Sequence, residues 1–83
     1  MQQNDKKLLQ AFGKHLKKKR IKIGTSLNSL MFNKGGTTSA TLSRIENGLV
    51  DFKFSTLVKI SAAMEIPLAK LLEDFDYKYE IQE

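Results

Sequence analysis

The chain has 83 residues, no cysteine and a formal net charge of +5. A chain of this length buries one modest core, which excludes a separate catalytic module, and the absence of thiols excludes disulfides and thiolate metal sites. No apolar run approaches the roughly 18 residues that span a bilayer, and no signal sequence opens the chain, so we expect a cytoplasmic protein.

The charge is polarised along the chain. Residues 1–24 carry eight Lys or Arg and one acidic residue, whereas residues 65–83 carry two basic and six acidic residues. A basic end of this size attracts phosphate polymers or anionic lipid, and an acidic tail is repelled by both. We therefore expect the last twenty residues to face away from the partner.

The first predicted helix runs from Lys6 to Ile23, and Gly24 ends it. Its apolar stripe has the spacing of an amphipathic helix and comprises Leu8, Leu9, Phe12, Leu16 and Ile23. Arg20 falls on the same stripe. Its guanidinium is therefore expected to point toward the core, where it needs a carboxylate partner.

Two short helices joined by a glycine turn follow. The second predicted helix runs from Ser26, an N-cap, to about Asn33, and Gly35-Gly36 then breaks the chain. The third begins after Thr38 and ends at Gly48. Its inward face is predicted to carry Thr41, Leu42 and Ile45, and its outward face carries Ser39, Ala40, Ser43, Arg44 and Asn47.

Two more helices and an alternating tail complete the chain. The fourth predicted helix starts at Ser55 and buries Leu57, Val58, Ile60 and Met64. The fifth starts at Pro67 and buries Leu68, Leu71 and Leu72. The tail then alternates Phe75, Tyr77, Tyr79 and Ile81 with polar residues, which is a strand period. The expected fold is an all-α, five-helix bundle with a short C-terminal strand, divided into a helix-turn-helix domain (1–75) and an acidic tail (76–83).

The outward face of the third helix admits two interpretations. Small polar side chains and one Arg are common on a solvated helix face. The same set also suits the second helix of a helix-turn-helix, because a helix enters a DNA major groove closely only when its side chains are small.

The segments "KRIKIG", "TTSATLSRIENG" and "FSTLVKISAAMEIPLAKLL" together resemble the lambdoid phage repressor and Cro family, the Xre-type helix-turn-helix regulators. The resemblance extends over about residues 12–72. It implies a repressor-like bundle and a transcriptional regulator that binds double-stranded DNA as a homodimer on a two-fold operator. The sequence has no phosphate loop, nucleophile elbow or paired ligand spacing, so we expect no enzymatic activity, cofactor or metal. Where the family usually has Gln after the second helix cap, this chain has Leu27.

The resemblance also implies roles for individual residues. It pairs the inward Arg20 with Glu46 as a structural ion pair. The implied base contacts are Ser39, Ala40, Ser43 and Arg44. The implied phosphate contacts, through side chains or adjacent amides, are Ser26, Thr38, Thr41, Asn47 and Lys53.

The basic run, His15 and the C-terminal tail each admit more than one interpretation. The basic run 17–22 is a solvated or steering face, or a nucleic-acid clamp; a membrane-surface helix is disfavoured because its apolar stripe is needed for the core. His15 has no acidic residue near it in sequence, which disfavours a metal or general-base role. The tail either folds back on the helices or forms a dimer strand through Phe75, Tyr77, Tyr79 and Ile81. As an alternative function, this acidic aromatic tail binds a protein partner, as in an antitoxin or adaptor module that binds DNA for autoregulation.

Overall fold

The computed structural model describes residues 3–24 and 39–81, and in these residues it contains four helices and no strand. The helices are α1 (Gln3–Ile23), α2 (Ser39–Glu46), α3 (Phe54–Ala63) and α4 (Leu68–Leu72). The predicted all-α class is confirmed, and α2, α3 and α4 are the third, fourth and fifth predicted helices. The second predicted helix, with Leu27 and the Gly35-Gly36 break, lies outside the described residues. No helix in the described ranges has the length and apolar character needed to cross a membrane.

Helix α1 is the longest element, with 21 residues. It begins at Gln3, three residues earlier than predicted, because no helix breaker precedes Lys6 and Asp5 suits the positive end of the helix dipole. Gly24 ends it in the left-handed conformation (φ 86°), with its N–H bonded to the Ile21 carbonyl at 2.9 Å. Ile23 was predicted on the buried stripe but is 46% exposed, because the buried face of α1 ends at Arg20.

One apolar cluster joins all four helices. Helix α1 contributes Phe12 and Leu16, and α2 packs against it through Leu42 and Ile45. The rings of Phe52 and Phe75 lie 5.5 Å and 5.3 Å from that of Phe12, centroid to centroid, and extend the cluster along α1. The members contributed by α3, α4 and the residue after α3 are Ile60, Ala63, Met64 and Leu71.

Helix α3 begins at Phe54 rather than Ser55, and Lys53 occupies the N-cap without a side-chain cap bond. Val58 was predicted to be buried but is 44% exposed. The inward row runs through Leu57, Ile60 and Ser61, at the i, i+3, i+4 spacing, and Val58 lies one position outside it. Ser61 is buried without cost because its hydroxyl donates to the Val58 carbonyl at 2.8 Å.

Helix α4 begins at Leu68, with Pro67 at the N-cap rather than in the first turn. Leu71 is fully buried and Leu68 half-buried, whereas Leu72, predicted to be buried, is 37% exposed. Five residues make little more than one turn, so a single i, i+3 row faces the core and the position after it points away.

The C-terminal segment lies against α1. Phe75 is half-buried, and its ring meets that of Phe12 edge-on. The Tyr79 hydroxyl donates to Asp5 Oδ1 at 2.6 Å, and Asn4 Nδ2 donates to the Glu80 carbonyl at 3.0 Å. Residues 75–81 form no strand within the described chain. The fold-back that the sequence left open is thus present, while strand pairing with a second copy and the 75/76 domain boundary remain predictions.

Candidate nucleic-acid interface

Helix α2 presents two chemically different faces. Leu42 and Ile45 are buried to 0% and 1% exposure, while Ala40 and Arg44 on the other side are exposed. Ser39 and Ser43 are half-buried at the margins of the exposed face. The four residues for which base contacts were implied therefore all have some access to solvent, and Ala40 and Arg44 have the most.

Arg44 stands at the centre of the exposed face. Its guanidinium makes no hydrogen bond or ion pair with the described part of the chain. Five N–H donors in a planar fork are thus available to an external acceptor, and this geometry matches the O6 and N7 acceptors of guanine. Ala40, one turn earlier, is exposed and ends at Cβ, so its own side chain does not keep a ligand away from this part of the backbone.

Asn47 follows α2 and completes its C-terminus. Its side-chain Nδ2 donates to the Ser43 carbonyl at 2.8 Å and lies 3.5 Å from Ser43 Oγ. The predicted phosphate contact is therefore also a helix cap, which holds Ser43 in place. Asn47 itself remains exposed.

A buried ion pair fixes α2 on α1. Arg20 Nε donates to Glu46 Oε2 at 2.7 Å, and Arg20 Nη2 donates to Glu46 Oε1 at 3.0 Å. The two residues are only 9% and 7% exposed. The hydrogen bond to Glu46 raises the pKa of Arg20 above its ordinary value, although burial acts in the opposite direction. This bidentate geometry orients the C-terminal end of α2, and the structure therefore brings together the two residues that the resemblance pairs.

Gly13 and Gly48 let α1 and the C-terminal end of α2 approach closely, a role that was not predicted from the sequence. A Cβ at Gly13 would lie 2.4 Å from the Glu46 carbonyl oxygen, and one at Gly48 would lie 2.6 Å from the Gln10 Cα. Gly48 also has a φ of 69°, which suits glycine. The sequence signal for this role of Gly13 is its place inside a predicted helix. A glycine there lowers helix stability by about 1 kcal/mol relative to alanine, so its presence indicates a packing constraint.

The remaining predicted phosphate contacts are dispersed. Lys53 is exposed at the N-cap of α3, next to the free N–H groups of that helix. Thr41 is half-buried on α2 and has an interaction of its own. Ser26 and Thr38 lie outside the described residues.

His15 lies on the other flank of α1. Its Nε2 is 2.6 Å from the Leu71 carbonyl oxygen, and its ring is 5.2 Å from that of Phe75. These contacts tie α1 to α4 and the tail. In the described residues no group of three His, Cys, Asp or Glu side chains is placed to hold a metal ion.

The dimer candidates differ in what they contact. Phe75 belongs to the core margin and Tyr79 bonds to Asp5, whereas Tyr77 is half-buried and Ile81 is 82% exposed. Of these four residues, Ile81 presents the most apolar surface to solvent in the described part of the chain.

A helix-turn-helix family model matches residues 16–71, two thirds of the chain. The chain belongs to this family, the Xre and lambda-repressor type of DNA-binding transcriptional regulators. No curated protein and no solved structure gives a significant match. The matched range begins within α1 and ends at the last buried leucine of α4, so it includes the ion pair, α2 and most of the core.

Proposed function

We propose that the protein is a sequence-specific transcriptional regulator that acts in the cytoplasm as a homodimer on a two-fold operator. In this proposal α2 is the recognition helix, with Arg44, Ser39, Ala40 and Ser43 at the base edges. The observation that carries it is the exposed Arg44, which has no hydrogen-bond or ion-pair partner among residues 3–24 and 39–81, on a helix whose opposite face buries Leu42 and Ile45.

The dimensions of α2 suit a major groove. Eight residues at 1.5 Å each make a helix about 12 Å long, close to the groove width of about 12 Å. Small side chains on the exposed face allow a close approach, and the bidentate ion pair with α1 prevents the helix from tilting. Preorganisation of this kind lowers the entropic cost of binding.

Phosphate contacts would supply most of the affinity. Asn47 and Lys53 lie at the C-terminus of α2 and the N-terminus of α3, on either side of the loop that joins these helices. With the polarised charge of the chain, such contacts make binding fall steeply with salt. The acidic C-terminal segment contacts the N-terminal turn of α1 through the bonds of Glu80 to Asn4 and of Tyr79 to Asp5.

A two-fold operator requires two copies of α2 about 34 Å apart, or one helical turn of DNA. We propose that the tail supplies the dimer contact, because Ile81 is exposed and residues 76–81 belong to no helix or strand of the described chain. Its backbone, in which the Glu80 carbonyl accepts from Asn4, can then pair with a second copy as a strand edge. Deleting residues 76–83 should then convert the dimer to monomer in sedimentation. Asp5→Ala, which removes the acceptor of the Tyr79 hydroxyl and leaves every tail residue unchanged, is the matched control and should remain dimeric. A dimer of undiminished strength after the deletion would exclude the tail.

The test of operator binding is selection from a random-sequence duplex library at near-physiological salt. Enrichment of a palindrome whose halves are centred about one helical turn apart is the expected result. Retention of DNA with no enriched motif would show that the surface binds phosphate without reading sequence.

The exposed tail favours a second candidate function. An acidic segment that carries the exposed Ile81 suits a protein partner that adds a strand to it, as in an antitoxin-like or adaptor module. Co-purification of one defined polypeptide with the full chain, lost on Ile81→Asp, would favour this candidate. If the chain purifies alone from its native host, the candidate falls.

A further inference from the structure

We propose that Lys14 and Lys17 of α1 hold a DNA phosphate, so that the interface extends past the end of α2 onto the first helix. The proposal rests on the function proposed above and adds a contact to it. It begins with a hollow of about 430 Å³ between α1 and the end of α2, lined by Gln10, Lys14, Lys17, Glu46 and Asn47.

The hollow is continuous with the exposed face of α2. Ala40, Arg44 and Asn47 follow one another at i, i+4 and i+7, which is one stripe of a helix. Asn47 also lines the hollow. The stripe that carries the proposed base contacts therefore leads directly to the two lysines.

The hollow is electrically positive. Among the described residues that line it, the one carboxylate is that of Glu46, and both of its oxygens are bonded to Arg20, at 2.7 Å and 3.0 Å. Lys14 and Lys17 are exposed, and neither makes an ion pair or hydrogen bond with another described side chain. The ammonium groups of Lys14 and Lys17, with a side-chain amide from Asn47 or Gln10 nearby, form a site for an anion. An anion is favoured there because it neutralises two like charges that repel each other.

The length of α2 indicates which anion it is. A helix of about 12 Å that lies across a groove of similar width ends at the groove wall, and that wall consists of phosphates. The C-terminal end of α2 and the hollow beside it then lie next to the sugar-phosphate backbone. A phosphate of the same duplex is therefore the occupant that this placement favours.

The opposite flank of α1 provides a matched control. A second hollow of about 470 Å³ there is lined by His15, Lys18, Lys22 and their neighbours, and it includes the carboxylate of Asp74. Lys18 and Lys22 are exposed like Lys14 and Lys17, but they lie beside α4 and the tail rather than beside α2. Removing two charges from either flank changes the net charge equally.

The experiment compares Lys14→Gln/Lys17→Gln with Lys18→Gln/Lys22→Gln. The dissociation constant for a mixed-sequence duplex is measured across a series of salt concentrations, after circular dichroism has shown that both variants melt as the wild type does. If Lys14 and Lys17 each neutralise a phosphate, their replacement lowers the log–log salt slope by about 2, at about 0.9 per contact. The control should leave the slope within about 0.5 of wild type.

Equal slopes for the two variants, or an unchanged slope for Lys14→Gln/Lys17→Gln, would overturn the proposal. Phosphate contact does not depend on sequence, so the mixed duplex gives an answer whether or not selection yields an operator. If the proposed operator binding is wrong, the selection yields no enriched motif. If the proposed lysine contact is wrong, the salt slope of Lys14→Gln/Lys17→Gln stays that of the wild type.

Discussion

Removing the guanidinium of Arg20 is expected to destabilise the domain severely. In Arg20→Ala the carboxylate of Glu46 stays behind, with its side chain only 4% exposed and without the two hydrogen bonds that neutralise it. A buried charge without its partner is costly because neither water nor a countercharge compensates its desolvation.

The expected loss is about 3 to 5 kcal/mol, the range for breaking one partner of a buried pair. A domain of this size has a total stability of about 4 to 12 kcal/mol, at roughly 0.05 to 0.15 kcal/mol per residue. The substitution therefore removes a large share of the folding free energy. Arg20→Lys keeps a charge but cannot be bidentate, and the loss of one charge-assisted hydrogen bond predicts a smaller cost of about 1.5 to 3 kcal/mol.

The assay is urea unfolding followed by circular dichroism at 222 nm. The decisive control replaces both partners, as Arg20→Met/Glu46→Leu, because apolar side chains of similar volume carry no desolvation penalty. We expect this double variant to recover most of the stability that Arg20→Ala loses. An unchanged unfolding midpoint for Arg20→Ala would refute the reasoning, as would a double variant no more stable than the single one.

Three further predictions concern the packing around α1. Gly13→Ala should lower the free energy of unfolding by about 1 to 3 kcal/mol in urea, because the new Cβ would lie 2.4 Å from the Glu46 carbonyl oxygen at the end of α2. This cost should exceed the gain from alanine's higher helix propensity, and a more stable variant would contradict the close approach. Phe75→Ala should cost about 1 to 3 kcal/mol by the same assay, and no change would show that the tail does not cover the core. In a Tyr77→Phe variant the tyrosinate absorbance should titrate above pH 10, because the hydrogen bond to Asp5 raises the pKa of Tyr79. The bond therefore stabilises the fold below the pKa that Tyr79 has in the unfolded chain, and this stabilisation is lost as the pH rises through the pKa of Tyr79 in the folded chain. Titration of Tyr79 at its ordinary value would contradict the contact.

Helical periodicity predicted the core where helices bury a wide face. Leu16, Leu42 and Ile45 lie on regular stripes and are nearly or completely buried. The prediction was wrong at Val58 and Leu72, because apolarity shows that a residue tolerates burial, whereas the packing of neighbouring helices decides which row faces inward. A solvent-exposed apolar residue one position off the row has no distinguishing mark in the sequence.

The site depends on contacts between segments distant in the chain, which periodicity does not reveal. The stripe of α1 placed Arg20 toward the core and required a carboxylate, but only the family resemblance implied Glu46 as its partner. A glycine inside a helix at Gly13 indicated a packing role, but the sequence did not show what it packs against, since that depends on the exact position of the α2 carbonyls. The hollow at Lys14 and Lys17 likewise became visible only once α2 was placed beside α1.

The most direct test of the central claim is the affinity of Arg44→Ala for two duplexes, the sequence enriched by wild type and a mixed-sequence control. If α2 reads bases through this guanidinium, the variant loses about 1 to 3 kcal/mol on the enriched site, roughly 5- to 150-fold in Kd, and little on the control. Its side chain is exposed and makes no hydrogen bond or ion pair with the described residues, which predicts an unchanged unfolding curve. An equal loss on both duplexes would show that Arg44 contacts phosphate alone, and the assignment of α2 as the base-reading helix would be contradicted.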